Sequence, residues 1–213
     1  MTAHRIRSGF IVLVAAGLTA CGMSVNGSIE VADGETRSGS LSTVNGRISV
    51  GDNATVEGTC RTVNGNIAIG RQSRVEELQV VNGSIRIEND TLVEGDIESV
   101  NGAISLRSDA RVNGRIRTVN GSVDARQTMI ARGISTVNGD VRLSEHSVVK
   151  GDIVVEDKMG VDFRSRPLEI ELSGGSTVEG DIINNNPDLE VKILLLDGST
   201  VSGRVENAEV IQG

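Results

Sequence analysis

The tripeptide Val-Asn-Gly begins at Val25, Val44, Val63, Val81, Val100, Val119 and Val137, at spacings of 19, 19, 18, 19, 19 and 18 residues. An eighth copy, at Val112, falls elsewhere in the period. A fixed period of this length means one structural unit stacked on itself. A finer period lies beneath it: aliphatics step from Val44 to Val50, Val56 and Val63, and from Val81 to Ile87, Val93 and Val100. Three sides of about six residues describe a triangular coil. Within a side the alternation is of period two, with Val44, Gly46 and Ile48 expected inward and Asn45, Arg47 and Ser49 outward. That is strand patterning, and sides this short leave no room for helices.

The expected fold is therefore all-β: a single-stranded parallel β-helix, or solenoid, with triangular coils of 18–19 residues. Left-handed hexapeptide solenoids keep small residues two places before each aliphatic corner. Here that slot holds Ile48, Ile67, Ile85 and Ile104, which favours a right-handed coil. A narrow aliphatic interior also accounts for a chain in which only Phe10 and Phe163 are aromatic.

The same argument explains the tripeptide. Asn26, Asn45, Asn64, Asn82, Asn101, Asn120 and Asn138 occupy one position in successive coils. Their amides are expected to form a structural ladder of donors and acceptors. The glycine after each lets the backbone bend at a corner or take positive φ. Thr43, Thr62, Thr118 and Thr136 precede the motif and predict a row of hydroxyls.

Residues 1–20 are a different physical object. A basic head (His4, Arg5, Arg7) precedes an apolar run from Phe10 to Ala16, too short to span a bilayer and laid out like a cleaved secretory signal. Leu18-Thr19-Ala20-Cys21 resembles the lipobox of bacterial lipoproteins. The resemblance implies cleavage before Cys21, its acylation, and a membrane anchor there, with residues 21–24 as a very short tether. Gly22 stands where inner-membrane retention would place Asp, so the expected location is the periplasmic face of the outer membrane. With acyl chains and no flexible linker, the first coil would sit against the headgroups.

Loss of residues 1–20 removes two arginines and takes the net charge from −8 to −10. Such a surface repels nucleic acid, and with Phe163 as the single remaining aromatic there is no base-stacking platform. Cys60 has no expected disulfide partner and reads as an inward-facing small hydrophobe.

Phrases of a second kind recur: "TVEGTCRT" from Thr55, "LVEGDIES" from Leu92, "VVKGDIVV" from Val148 and "TVEGDIIN" from Thr177. They resemble the repeats of bactofilins, the polymer-forming cytoskeletal β-helices. "TVNGDV" from Thr136 is similar to adhesin-like β-solenoid domains of bacterial envelopes. The bactofilin resemblance implies a right-handed triangular core that assembles end to end without nucleotide. This chain departs from that pattern in its lipoprotein signal and its lack of flanking tails.

The regular repeats run over 25–155, and 156–213 reads as irregular coils of the same domain. "EDKMGVDFRSRP" (Glu156 to Pro167) interrupts them, and "INNNPD" (Ile183 to Asp188) is read as a second insertion. Both prolines fall in these two loops, where a missing donor is tolerated. Phe163 is expected to plug the core. The run Ile193, Leu194, Leu195, Leu196 is apolar on both faces and marks an expected assembly edge, part of a free carboxy-terminal edge around Ile193 to Val210.

Chemistry finds little footing. His146 is the one histidine beyond the signal segment and reads as a solvated turn residue, and no cofactor or metal site is expected. Glu57, Glu76 and Glu94 share an outward slot; with arginines nearby they read as a solvated face rather than a cation site. The expected function is non-enzymatic: an envelope scaffold that binds a second copy or an envelope protein. The competing reading is an adhesin-like module that recognises a polysaccharide or cation. Exposed apolar surface at an end favours the first; along a side, the second.

Overall fold

The computed structural model describes residues 23–157 and 166–213; every strand pairing is parallel. The chain forms an all-β solenoid of about nine turns. One side is a sheet of ten strands, from Ile29–Val31 through Ile48–Val50 and onward to Glu209–Gln212. The other two sides form a single sheet of 17 strands, because Thr55–Asn64 and Arg74–Asn82 run unbroken around the corner between them. Equivalent residues of adjacent coils pair directly, as in Ile48 with Ile67 and Ile67 with Ile85. With strands about 4.8 Å apart, nine steps give a rod roughly 40 Å long.

Side-chain alternation supplies the core. Ile48, Ile67, Ile85 and Ile104 form one inward column, Val56, Val75, Val93 and Val112 a second, and Leu41, Cys60, Leu78 and Ile97 a third, all buried. Burying each of the valine, leucine and isoleucine side chains contributes about 1.5–3 kcal/mol. Among the described residues no buried side-chain nitrogen or oxygen lacks a hydrogen-bond partner.

The phase of the Val-Asn-Gly corner differs from expectation. Thr43 and Thr62, not Val44 and Val63, face the core; Val25 and Val44 are 60% and 40% exposed. The chain turns sharply at Asn-Gly, so the alternation restarts there and Ile48 begins a new inward phase. Threonine is tolerated inside because its hydroxyl donates to a glycine carbonyl: Thr43 to Gly27 at 2.9 Å and Thr62 to Gly46 at 3.0 Å.

The glycines bend the chain at this corner as expected, and two of them, Gly83 and Gly102, take positive φ of 149° and 154°; close packing constrains the row as well. Gly46, Gly65, Gly121 and Gly139 do not need positive φ; a Cβ on any of them would run into the carbonyl of the corresponding glycine one coil below. The coils approach too closely here for any side chain. Positive φ also marks the opposite corner, where Gly34, Asn53, Gln72, Asp90 and Asp109 each take the left-handed conformation.

Candidate functional site

Because the fold is a stack, each corner and face is a row of equivalent positions rather than a cluster drawn from distant segments. The asparagine row is the clearest. Asn45 donates to Asn26, Asn64 to Asn45, Asn82 to Asn64 and Asn101 to Asn82, each at 2.9 Å, and Asn120 donates to Asn101 at 3.1 Å. Asn138 occupies the next rung, but its side chain does not bond Asn120; its backbone N–H donates to the Val119 carbonyl. The amides thus hold the coils to one another.

Two further rows, one at the Val-Asn-Gly corner and one at the Val-Glu-Gly corner, cap backbone groups between coils. The residue after a corner glycine accepts an N–H from the coil above: Ser28 from Arg47, Asn66 from Ser84, Asp96 from Arg115, Asp152 from Asp181, and Asp181 from Arg204. This accounts for the Gly-Asp and Gly-Ser pairs in the repeats. Asp52 works likewise near the third corner, accepting from the Arg71 N–H at 2.7 Å. That backbone bond, with the Arg71 guanidinium, holds the Asp52 carboxyl below its usual range. The Arg204 N–H and side chain do the same for Asp181.

The outer faces offer paired rather than convergent charge. Glu94 is neutralised by Arg74 at 2.6 Å and accepts from Asn113 at 2.7 Å, while Glu57 accepts from Ser38 at 2.8 Å. Arg117 bridges Asp96 and Glu98. His146 is exposed in a left-handed turn. Cys60 is fully buried, and desolvation pushes its thiol up to about 12. Among the described residues no group of three or more His, Cys, Asp or Glu is placed to hold a metal ion. Cys21 and Phe163 lie outside the described residues.

The two insertions share one corner. Both fall between a strand of the 17-stranded sheet and the next strand of the ten-stranded sheet, Ile153–Val155 to Leu168–Leu172 and Ile182–Asn184 to Val191–Leu195, the junction that holds the Val-Asn-Gly row in earlier coils. Ile183 and Asn184 remain within the strand Ile182–Asn184, so the second excursion begins later than expected. Asn184 pins it by donating to the Leu189 and Asn207 carbonyls at 2.9 and 3.0 Å. The outward valines of this corner grade from exposed Val25 and Val44 to buried Val119 and Val137, at 6% and 4%. Arg166 pairs with Asp140 beside them.

The ends of the rod were the least legible features. Ile193 to Leu196 is not the edge: Val191–Leu195 pairs with Leu168–Leu172 on one side and Glu209–Gln212 on the other. Ile193 is buried, and Leu194, Leu195 and Leu196 are half-buried. Among the described residues the unpaired edge is that of Glu209–Gln212, where Val210 and Ile211 are 42% and 37% exposed. At the other end, Arg37 stands in register with Val56, in an otherwise aliphatic inward column, and pairs with Glu35. An arginine 19 residues before an inward valine was the sequence signal for this, overlooked because that first coil has few aliphatics to set its phase.

In comparisons with known proteins, no family model, no curated protein and no solved structure matches the chain. The fold itself defines the class: a parallel β-solenoid with a self-laddered surface.

Proposed function

We propose that this protein is a non-enzymatic scaffold of the bacterial cell envelope, a rigid rod anchored through acylated Cys21 on the periplasmic face of the outer membrane. The observation that carries the reading is the ladder: polar rows on the outside are bonded from coil to coil, so side chains that a binding cleft would aim at a ligand instead stiffen the rod. The resemblance to bactofilin phrases supports a structural role, and the Leu-Thr-Ala-Cys tetrapeptide supports the anchor. Mass spectrometry of the mature amino terminus, with membrane fractionation, tests it. The reading expects an acylated Cys21 and a Cys21→Ala variant released from the membrane. An unmodified amino terminus, or a Cys21→Ala chain that stays membrane-bound, overturns it.

One observation favours the adhesin-like reading. Val25 and Val44, with half-buried Val63, Val81 and Val100, form an apolar stripe along a side rather than at an end. Replacing Val44 and Val81 with Lys would abolish retention on envelope polysaccharide under this second reading and leave the scaffold unaffected.

A further inference from the structure

The two ends of the rod are built to opposite specifications. At the first coil the inward column that continues as Val56, Val75 and Val93 begins with Arg37. Its guanidinium pairs with Glu35 at 2.9 Å, and Glu35 also accepts the Ala32 N–H at 2.9 Å. An inward-pointing charge is a recognised device for blunting a sheet edge against further pairing. At the last coil each of the three sides carries an inward valine instead, Val201, Val205 and Val210, and the one further inward column of the third of these sides ends on uncharged Gln212, in register with Leu195. There, among the described residues, the strand Glu209–Gln212 pairs on one side alone, leaving a row of backbone donors and acceptors on the other.

This asymmetry decides how copies can meet. Head-to-tail stacking in register would place Arg37 of one copy over Val201 of the next, and the Arg37–Glu35 pair would lose its water inside an apolar core. Removing two charges from water costs several kcal/mol per ion. Two carboxy-terminal ends, by contrast, present valine to valine. A two-fold axis across the solenoid maps Glu209–Gln212 onto itself in antiparallel pairing and exchanges the other two sides. Val201 then faces the second copy's Val205. In registers that keep inward residues together, Glu209 faces Ile211 or Gly213, and Glu206 faces Thr200. No like charges are opposed, which is what a self-complementary surface requires.

We propose that the open carboxy-terminal coil, presenting Val201, Val205 and Val210, is a self-association surface that joins two copies tail to tail into a closed dimer rather than a growing polymer. The triangular end is small, and a total buried area of order 1,000 Å² sits at the low end for a specific interface. This extends the scaffold reading but does not depend on acylation at Cys21.

Disulfide cross-linking of the full chain in detergent tests it. Val210→Cys and Ile211→Cys are placed singly at the two candidate two-fold positions in a Cys21→Ser background, while Cys60 is buried and silent. Oxidation is expected to give one covalent dimer with at least one of these variants, and the product stops at two copies. A mixture of Ser38→Cys and Ser202→Cys chains, which head-to-tail stacking would bring together, is expected to give no cross-link. Val210→Asp is expected to lower dimer yield at least tenfold while leaving the circular dichroism spectrum unchanged. Cross-linking between Ser38→Cys and Ser202→Cys, a ladder of higher multimers, or no dimer from either carboxy-terminal variant overturns the proposal. An unmodified amino terminus on the parent chain, found alongside a carboxy-terminal dimer, would sink only the membrane anchor.

Discussion

Asn64 donates its side-chain amide to the side-chain carbonyl of Asn45, 19 residues earlier and one coil below, at 2.9 Å. The bond crosses between coils rather than closing a turn, which distinguishes this Asn-Gly from the hairpin signal the dipeptide usually gives. Asn64→Asp removes the donor and sets a carboxylate against the Asn45 oxygen. A loss of about 1 kcal/mol is expected, read by urea denaturation. An unchanged midpoint would show that the ladder is ornamental.

Close approach of the coils makes a sharper prediction at Gly65, whose added Cβ would meet the Gly46 carbonyl. Gly65→Ala is expected to destabilise by about 1–3 kcal/mol through overpacking of backbone on backbone. Gly34 has open space around it and φ of 69°, so Gly34→Asn should cost under ~0.5 kcal/mol. Thermal melts of the two variants separate close packing from conformational preference. Equal melting points would contradict the stacking geometry.

Burial of Cys60 raises its thiol from 9.0 to about 12. The folded chain therefore holds its proton where the unfolded chain has lost it, between these two values. The stabilising contribution is complete below pH 9.0 and declines as pH rises through that window. At pH 8 the folded protein should leave Cys60 unlabelled by maleimide, with labelling appearing only on unfolding. Rapid modification of the native chain would place Cys60 outside the core.

The capping carboxylates give the opposite sign. Asp52, Asp181 and Glu35 have lowered folded values, first because each accepts a backbone N–H and then because an arginine adjoins each. Their contribution is present above the ordinary carboxylate values of 3.8 and 4.5 and is lost as pH falls through the lowered folded ones. Asp181→Asn should flatten the acid limb of a stability-against-pH curve. A variant as acid-sensitive as the parent would remove Asp181 from that account.

How much of this was legible in the sequence follows from the physics of each position. Inward columns such as Ile48, Ile67 and Ile85 repeat every 18 or 19 residues, so period alone reveals the coils. The asparagine row was legible as far as Asn120, for the same reason. The phase at the corner was not, because pattern favours Val44 over Thr43 for the interior, and only the Gly27 carbonyl makes the Thr43 hydroxyl acceptable there. Asn138 fails to join the ladder although its tripeptide is intact. The terminal edge, expected around Ile193 to Val210, begins only at the far end of that span; Glu209–Gln212 is short and exposed, whereas Ile193 to Leu196 advertises itself by hydrophobicity.

The central claim is a stiff rod of coils in register, and its length can be measured. Spin labels at Ser49→Cys and Glu171→Cys, in a Cys21→Ser background, lie six coil steps apart on the same outward row. Double electron–electron resonance should give one narrow distance near 29 Å, from about 4.8 Å per step. A broad distribution, or a mean far from that value, would contradict the stacked solenoid and the scaffold function built on it.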